Sequence, residues 1–438
     1  MSMLEMGYWS FPVLLILILL RAPIGLAMLI CGIGGLYFAT DSSAMFMAKL
    51  KSESYSTFSS YSLSIIPMFL LMGQFATLSG MSTALFKAAE SWLGHKRGGV
   101  AMSAIGACAG FGAICGSSLA TAATMGQVAL PELRRYGYAG GFSTATLAAG
   151  GTLGILIPPS VILVIYAVLT EQNIAKLFLA AFIPGLLAAL GYMLTISLYV
   201  RLYPDAAGTR ERLPYQARFK ALFNVWPVLL VFLLVVGGIY LGWFTPTEGA
   251  AVGAAGTGVI ALLSGNLNRR VFMDSIYSTA KSTAMIFFIV LGAGFYNGFL
   301  ALTQVPQELS AWVVGQGYSP WGVLIMILVF YLIFGCLMDS LSMILLTIPI
   351  FFPVISGLDF GMGPEHLAIW FGILVLIVVE VGLITPPVGM NLFVINSMDQ
   401  GTPMLETYKS VLFFVGSDLV RVAILVLFPA ITLFLLPG

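Results

Sequence analysis

Apolar residues fall in blocks of about 20 along the whole chain, long enough to cross a bilayer as helices. The blocks predict helices near 4–20, 24–40, 62–80, 173–200, 225–243, 247–264, 283–301 and 411–436. Two longer apolar stretches, 98–133 and 320–356, carry a small, polar centre: Gly110 to Ser118 in the first and Gly335-Cys336-Leu337-Met338-Asp339-Ser340 in the second. Two more, 139–169 and 366–398, are cut by proline pairs, Pro158-Pro159 and Pro386-Pro387. Each pair has a glycine four residues before its first proline, Gly154 and Gly382. Proline removes a backbone donor and clashes with the preceding turn, so each helix must break there. Within lipid, a broken helix survives only where protein buries it or where it lines a cavity.

Basic residues mark the cytoplasmic side. They cluster at Arg21, at Lys87, Lys96 and Arg97, at Arg134 and Arg135, across 201–220, at Arg269, Arg270 and Lys281, and at Lys409. The segment 98–133 lies between two such clusters, which predicts a re-entrant hairpin with its tip near Gly116–Ser118. The flanks of 320–356 lack Lys and Arg, which predicts a second hairpin entering from the external face. Lys49, Lys51 and Lys176 then fall outside, against the trend. Both halves read in the same order, scaffold helices, hairpin and broken helix, but start from opposite sides. We therefore divide the chain into a first inverted repeat, 1–200, a cytoplasmic linker, 201–220, and a second inverted repeat, 221–438. The predicted class is an all-α polytopic membrane protein, an inverted repeat with two re-entrant hairpins and two broken helices of ion-transporter-like fold, in which matching breaks mark the binding site. Ser118 and Ser340 are 222 residues apart and Pro158 and Pro386 are 228 apart, an offset nearly constant across the core. The amphipathic stretches 82–94 and 268–280 predict helices lying along the cytoplasmic interface.

Composition narrows the function. The 438 residues are 59% hydrophobic and 8% charged, where a soluble domain has about 25% charged. The net charge of +1 leaves no nucleic-acid footprint. The longest polar stretch, 201–220, is too short for a soluble capture domain. The four cysteines sit in apolar segments as small buried hydrophobes. With only His95 and His366, no metal-ligand cluster is visible. The first apolar block lacks a basic start and an Ala-x-Ala exit, so it reads as a retained helix rather than a leader.

Candidate chemistry sits at the tips and breaks. The first tip offers Gly116, Ser117, Ser118 and Thr121, and the facing break Gly154, Ile157 and Pro159. The second half offers Gly335, Asp339 and Ser340, with Gly382, Thr385 and Val388. Hydroxyls and unpaired carbonyls of this kind suit a hard cation such as sodium, and two or more sites are expected. Substrate contacts are expected from Gly116, Ser117, Ser160, Ser340 and Pro387. Asp339 and Glu380 are carboxylates at mid-membrane depth, where an ionisable group is a functional candidate by default. Asp339 is assigned to a cation; Glu380 serves either function or the backbone around its break. Asp418 and Arg421 are placed to pair with each other. An intramembrane hydrolase is unsupported, because Ser117 and Asp339 have no histidine or lysine partner. A channel would need a continuous polar pore.

The segments Gly151-Thr152-Leu153-Gly154-Ile155-Leu156-Ile157-Pro158-Pro159-Ser160 and Glu380-Val381-Gly382-Leu383-Ile384-Thr385-Pro386-Pro387-Val388-Gly389 resemble the large membrane subunit of tripartite ATP-independent periplasmic (TRAP) transporters, the DctM family. Cys115-Gly116-Ser117-Ser118 and the segment Ser64 to Gly73 are similar as well. The resemblance runs nearly end to end. It implies a sodium-driven, elevator-type importer of an organic acid in the bacterial inner membrane. It also implies two partners, a small four-helix membrane subunit and a periplasmic substrate-binding protein, and sodium sites between each hairpin and its broken helix. No fused small subunit is expected ahead of the first helix. The alternative is a stand-alone sodium–carboxylate symporter.

Overall fold

A computed structural model describes residues 2–399 and 401–436, and among these the chain is helical with no strand. The first half contains α1 (Met3–Leu19), α2 (Ile24–Thr40), α3 (Ser43–Phe58), α4 (Ile65–Leu78), α5 (Met81–Leu93), α6 (Gly99–Cys115), α7 (Ser118–Arg135), α8 (Gly140–Leu156), α9 (Val161–Thr170) and α10 (Ile174–Leu202). The connecting segment holds α11 (Tyr215–Phe223). The second half contains α12 (Trp226–Phe232), which continues through a π turn into α13 (Gly238–Tyr240), then α14 (Pro246–Leu263), α15 (Arg269–Thr303), α16 (Val305–Gly315), α17 (Pro320–Gly335), α18 (Ser340–Ser356), α19 (Pro364–Gly382), α20 (Met390–Met398), α21 (Met404–Leu427) and α22 (Pro429–Leu433).

Four helices are long and apolar enough to cross a membrane, and up to seven spans result if each bent pair counts as one. The helices facing outward show why. On α10, Phe182, Leu186, Leu190, Leu194 and Leu198 form an exposed ridge at a spacing of four, while Ala181, Ala188 and Tyr192 are buried on the other face. Such a stripe suits a helix facing hydrocarbon, and with the long apolar helices it indicates a multi-pass membrane protein. The inner helices differ. Every residue of α8 from Gly141 and of α19 from Leu367 is buried. A helix apolar all round belongs in a core, and the small residues of α8 let its neighbours approach closely.

Helix α6 packs on α7, and both pack on α8; α17 packs on α18 and on α19 in the same way. The halves also interlock, since α9 lies against α18 and α20 against α7 and α8. Helices α2 and α15, and α4 and α14, pair outside this core. Proline cuts the first broken helix with a bend of 44° between α8 and α9. Both proline pairs contain a cis peptide bond.

Three elements depart from the sequence reading. The stretch 268–280, expected as a separate interfacial helix, forms the start of one continuous 35-residue helix, α15. No glycine or proline interrupts it around Lys281 and Ser282, so helical hydrogen bonding carries straight through. Helix α3 occupies a polar segment to which the apolar pattern assigns no helix. Its Glu53 and Lys49 lie over Gly294 and Gly298 of α15, where an added Cβ would come within 2.2 and 2.4 Å of those side chains. Helix α16 likewise lies between a predicted helix and a predicted hairpin, where the pattern assigns no element. Of the three lysines the layout leaves outside, Lys49 pairs with Glu53 at 3.2 Å and Lys176 with Glu365 at 2.6 Å, which softens their cost. The connecting segment is tied down by Arg210, which pairs with the buried Glu90 of α5 at 2.8 Å.

Candidate functional site

The two hairpins meet with their tips at one place. Each second arm begins there with a capped N-terminus. Ser117 caps α7 by accepting a hydrogen bond from the Ala120 amide, and Asp339 caps α18 by accepting one from the Ser342 amide at 3.1 Å. A side-chain oxygen at this position satisfies an amide the first turn leaves free. Gly116, just ahead of the first cap, has φ +64°, a left-handed conformation glycine adopts without strain. A cavity of about 300 Å³ lies between the tips, lined by Gly116, Ser117, Ser118, Asp339 and Ser340 from the hairpins. Leu70 of α4 and Met285 of α15 close it from the outer helices. Both helix N-termini direct partial positive charge at this space. A larger cavity of about 580 Å³ between α1 and α2 is apolar and remote from these groups.

Behind the tips, glycines let the hairpins touch the breaks. A Cβ at Gly112 would lie 2.6 Å from the Gly154 Cα, and one at Gly382 would lie 2.5 Å from the Gly335 carbonyl carbon. The same contact, first hairpin arm against the helix before the break, thus occurs once in each half. Beside Gly154 the neighbours are oxygens: a Cβ there would sit 2.3 Å from Thr121 Oγ1 and 2.7 Å from the Ser117 carbonyl oxygen. Thr121 Oγ1 is buried with no hydrogen-bond partner. Pro158 also leaves the Gly154 carbonyl without its helical donor. An orphaned hydroxyl among carbonyls in a glycine-made cradle fits a hard cation, and an unsatisfied buried hydroxyl otherwise costs about 1–3 kcal/mol. No group of three His, Cys, Asp or Glu side chains that could hold a metal occurs among the described residues.

The remaining expected residues are distributed as follows. Ile157 ends α8 with extended backbone, and Pro159 follows in the first break. Ser160 is fully buried, caps α9 and does not line the cavity. Thr385 donates to the Val381 carbonyl at 2.7 Å, next to Val388 in the second break. Pro387 is exposed and its carbonyl accepts from Tyr408 at 2.5 Å, away from the cavity lining. Asp339 uses its carboxylate on its own helix, accepting from the Ser342 hydroxyl at 2.5 Å as well as the amide.

Glu380 joins what the sequence left apart. Fully buried on α19, it accepts a hydrogen bond from the Ser340 hydroxyl at 2.6 Å and another from the Ser118 hydroxyl. One carboxylate therefore holds the first residue of α7 and the first residue of α18. Asn391, just past the second break, is a residue the sequence reading did not single out. Its amide donates to the Ala148 carbonyl at 3.3 Å while its Oδ1 is buried without a partner. A polar amide beside Gly389 in an otherwise apolar run was the signal available. Asp418 and Arg421 do pair, at 2.8 Å, and Tyr192 donates to Asp418 at 2.7 Å.

With this geometry in place, the chain can be compared with known proteins. The sequence profile described as "Tripartite ATP-independent periplasmic transporter, DctM component" matches residues 11–431. The chain is 38% identical over 401 residues to the C4-dicarboxylate TRAP transporter large permease protein DctM of Pseudomonas aeruginosa, covering 91% of this chain and 90% of that protein. It is 31% identical over 434 residues to the sialic acid TRAP transporter permease protein SiaT of Haemophilus influenzae, covering 98% of this chain and 68% of that one. Its fold is similar to the crystal structure of the Alcanivorax borkumensis YdaH transporter, with a TM-score of 0.65, 15% identity and 88% of each chain covered.

Proposed function

The chain belongs to the DctM family of TRAP transporter large permease subunits, and on that premise we propose that it imports an organic acid across the bacterial inner membrane, driven by sodium. The observation that carries this reading is the shared cavity between two hairpin tips, with the oxygen cradle of Ser117, Thr121 and Gly154 directly behind it. The tips lack Lys and Arg, so a carboxylate there meets helix N-termini and whatever positive charge bound cations supply. Sodium in the cradle would make anion binding and cation binding mutually favourable, which is the thermodynamic basis of symport. The second half supplies Gly335, Gly382, Thr385 and Val388 to a second cation position. Cys115 and Gly116 at the first tip and Leu70 on α4 lie where a sliding core would pass a fixed scaffold, in keeping with elevator-type alternating access.

The proposed partners are a small four-helix membrane subunit and a soluble periplasmic protein that delivers the substrate. The named relatives handle a C4-dicarboxylate and sialic acid, so carboxylates of both kinds belong in the first panel. The test is uptake of labelled succinate and sialic acid into proteoliposomes holding this chain with its small subunit. Sodium gradients are compared with choline, with and without the binding protein. Uptake that needs both sodium and the soluble protein is the expected result. Sodium-driven uptake without the soluble protein would point to a stand-alone symporter, and uptake indifferent to sodium would overturn the coupling.

A further inference from the structure

We propose that Glu380 is a positioning residue that sets the hydrogen-bond polarity of both hairpin tips at once. A serine hydroxyl has one proton to donate and two lone pairs to offer. Ser118 and Ser340 both give that proton to Glu380, one to each carboxylate oxygen. Both serines also line the cavity between the tips. Their remaining lone pairs are therefore what the cavity receives, and neither hydroxyl is free to donate to an anion. The two serines thus serve as cation ligands, while the anionic substrate is left to the amides of the helix N-termini. Ser340, expected to serve sodium and substrate alike, is thereby assigned to the cation, and this assignment rests on the sodium reading above.

The arrangement is asymmetric in a telling way. The repeat offset of 228 residues places Thr152 in the first half where Glu380 stands in the second. Thr152 is turned elsewhere, donating to the Ala149 carbonyl at 2.7 Å and sharing a hydrogen bond with Tyr192 at 3.0 Å. The first tip has no carboxylate of its own repeat and borrows the one from α19. A single residue therefore orients one ligand in each repeat and makes the two tips interdependent.

Glu380→Gln tests this. The amide can accept from one serine but must donate to the other, which turns that hydroxyl's proton toward the cavity. The readout is thermal unfolding of the full chain co-purified with its small subunit, titrated with sodium chloride against choline chloride. For Glu380→Gln the sodium midpoint is expected to rise at least about tenfold, the scale of a lost orienting partner at a metal site. Ser118→Ala and Ser340→Ala should each raise the same midpoint, and each combined with Glu380→Gln should fall short of the product of the single effects. If Glu380 is only a structural tie, Glu380→Gln lowers the melting temperature in choline and leaves the sodium midpoint unmoved, and the proposal fails. Should Glu380→Gln not fold, an unmoved sodium midpoint in either serine variant overturns it equally. A wild-type protein whose melting ignores sodium would instead bring down the sodium reading, and this inference with it.

Discussion

At the scale of single residues, burial without a partner is the most informative signal in this molecule. Thr121 sits in the first hairpin with its hydroxyl oxygen enclosed and unpaired. If the hydroxyl served the fold, removing it would cost stability; if it serves a ligand, removing it should help the empty protein. Thr121→Val keeps the shape and deletes the oxygen. In sodium-free buffer we expect the variant to be as stable as wild type or more stable by about 1 kcal/mol, since an unsatisfied hydroxyl is lost. In the same preparation the sodium needed for half-maximal uptake should rise several-fold. A clear loss of melting temperature in choline would sink the assignment of Thr121 to a cation. Serine in its place restores the oxygen and should restore the sodium response.

Among elements, what sequence could and could not reveal follows from how each is encoded. The hairpins and breaks were legible because their signals are local: Gly116 before a serine pair, and proline pairs that no continuous helix accommodates. Helix α3 was not, because its lysines, glutamate and serines imitate a loop, and its stability comes from the glycine groove of α15 beneath it. The junction in α15 failed for the opposite reason: a change from amphipathic to apolar pattern suggests two helices, but no breaker residue separates them. The meeting of Ser118 with Glu380, 262 residues apart in sequence, leaves no local trace at all. The tie between α7 and the end of α20 is of this long-range kind too. Arg134 in the last turn of α7 pairs with Asp399, whose carboxylate is only 2% exposed and also accepts from Thr402 at 2.8 Å. Arg134→Ala would strand that buried charge. With the guanidinium half exposed, we expect a cost of about 1–3 kcal/mol, below the 3–5 of a fully buried pair. Adding Asp399→Asn should recover part of it. A melting temperature for Arg134→Ala equal to wild type would show that the pair does not hold these elements together.

For the whole molecule, the packing distinguishes contacts within one interlocked body from contacts between that body and the helices around it. The interlocking of α9 with α18 and of α7 with α20 joins the two halves of the chain into one body, so neither hairpin moves alone without losing the other's support. Around that body α4 touches both α6 and α9. If alternating access slides the body past the outer helices, the α4–α6 contact has to be remade in every cycle. One natural cysteine reports on it. A Cβ at Gly73 of α4 would lie 3.5 Å from the Cys115 sulfur at the end of α6 and 3.0 Å from its carbonyl oxygen. This spacing lies close to what a disulfide requires. We therefore expect Gly73→Cys, with Cys31, Cys108 and Cys336 replaced by alanine, to cross-link to Cys115 under mild oxidation. Uptake should then fall to background and return on reduction, while the reduced variant keeps measurable transport. A fully cross-linked protein that still transports would mean that α4 and the first hairpin travel together, and the moving boundary would have to lie elsewhere in the fold.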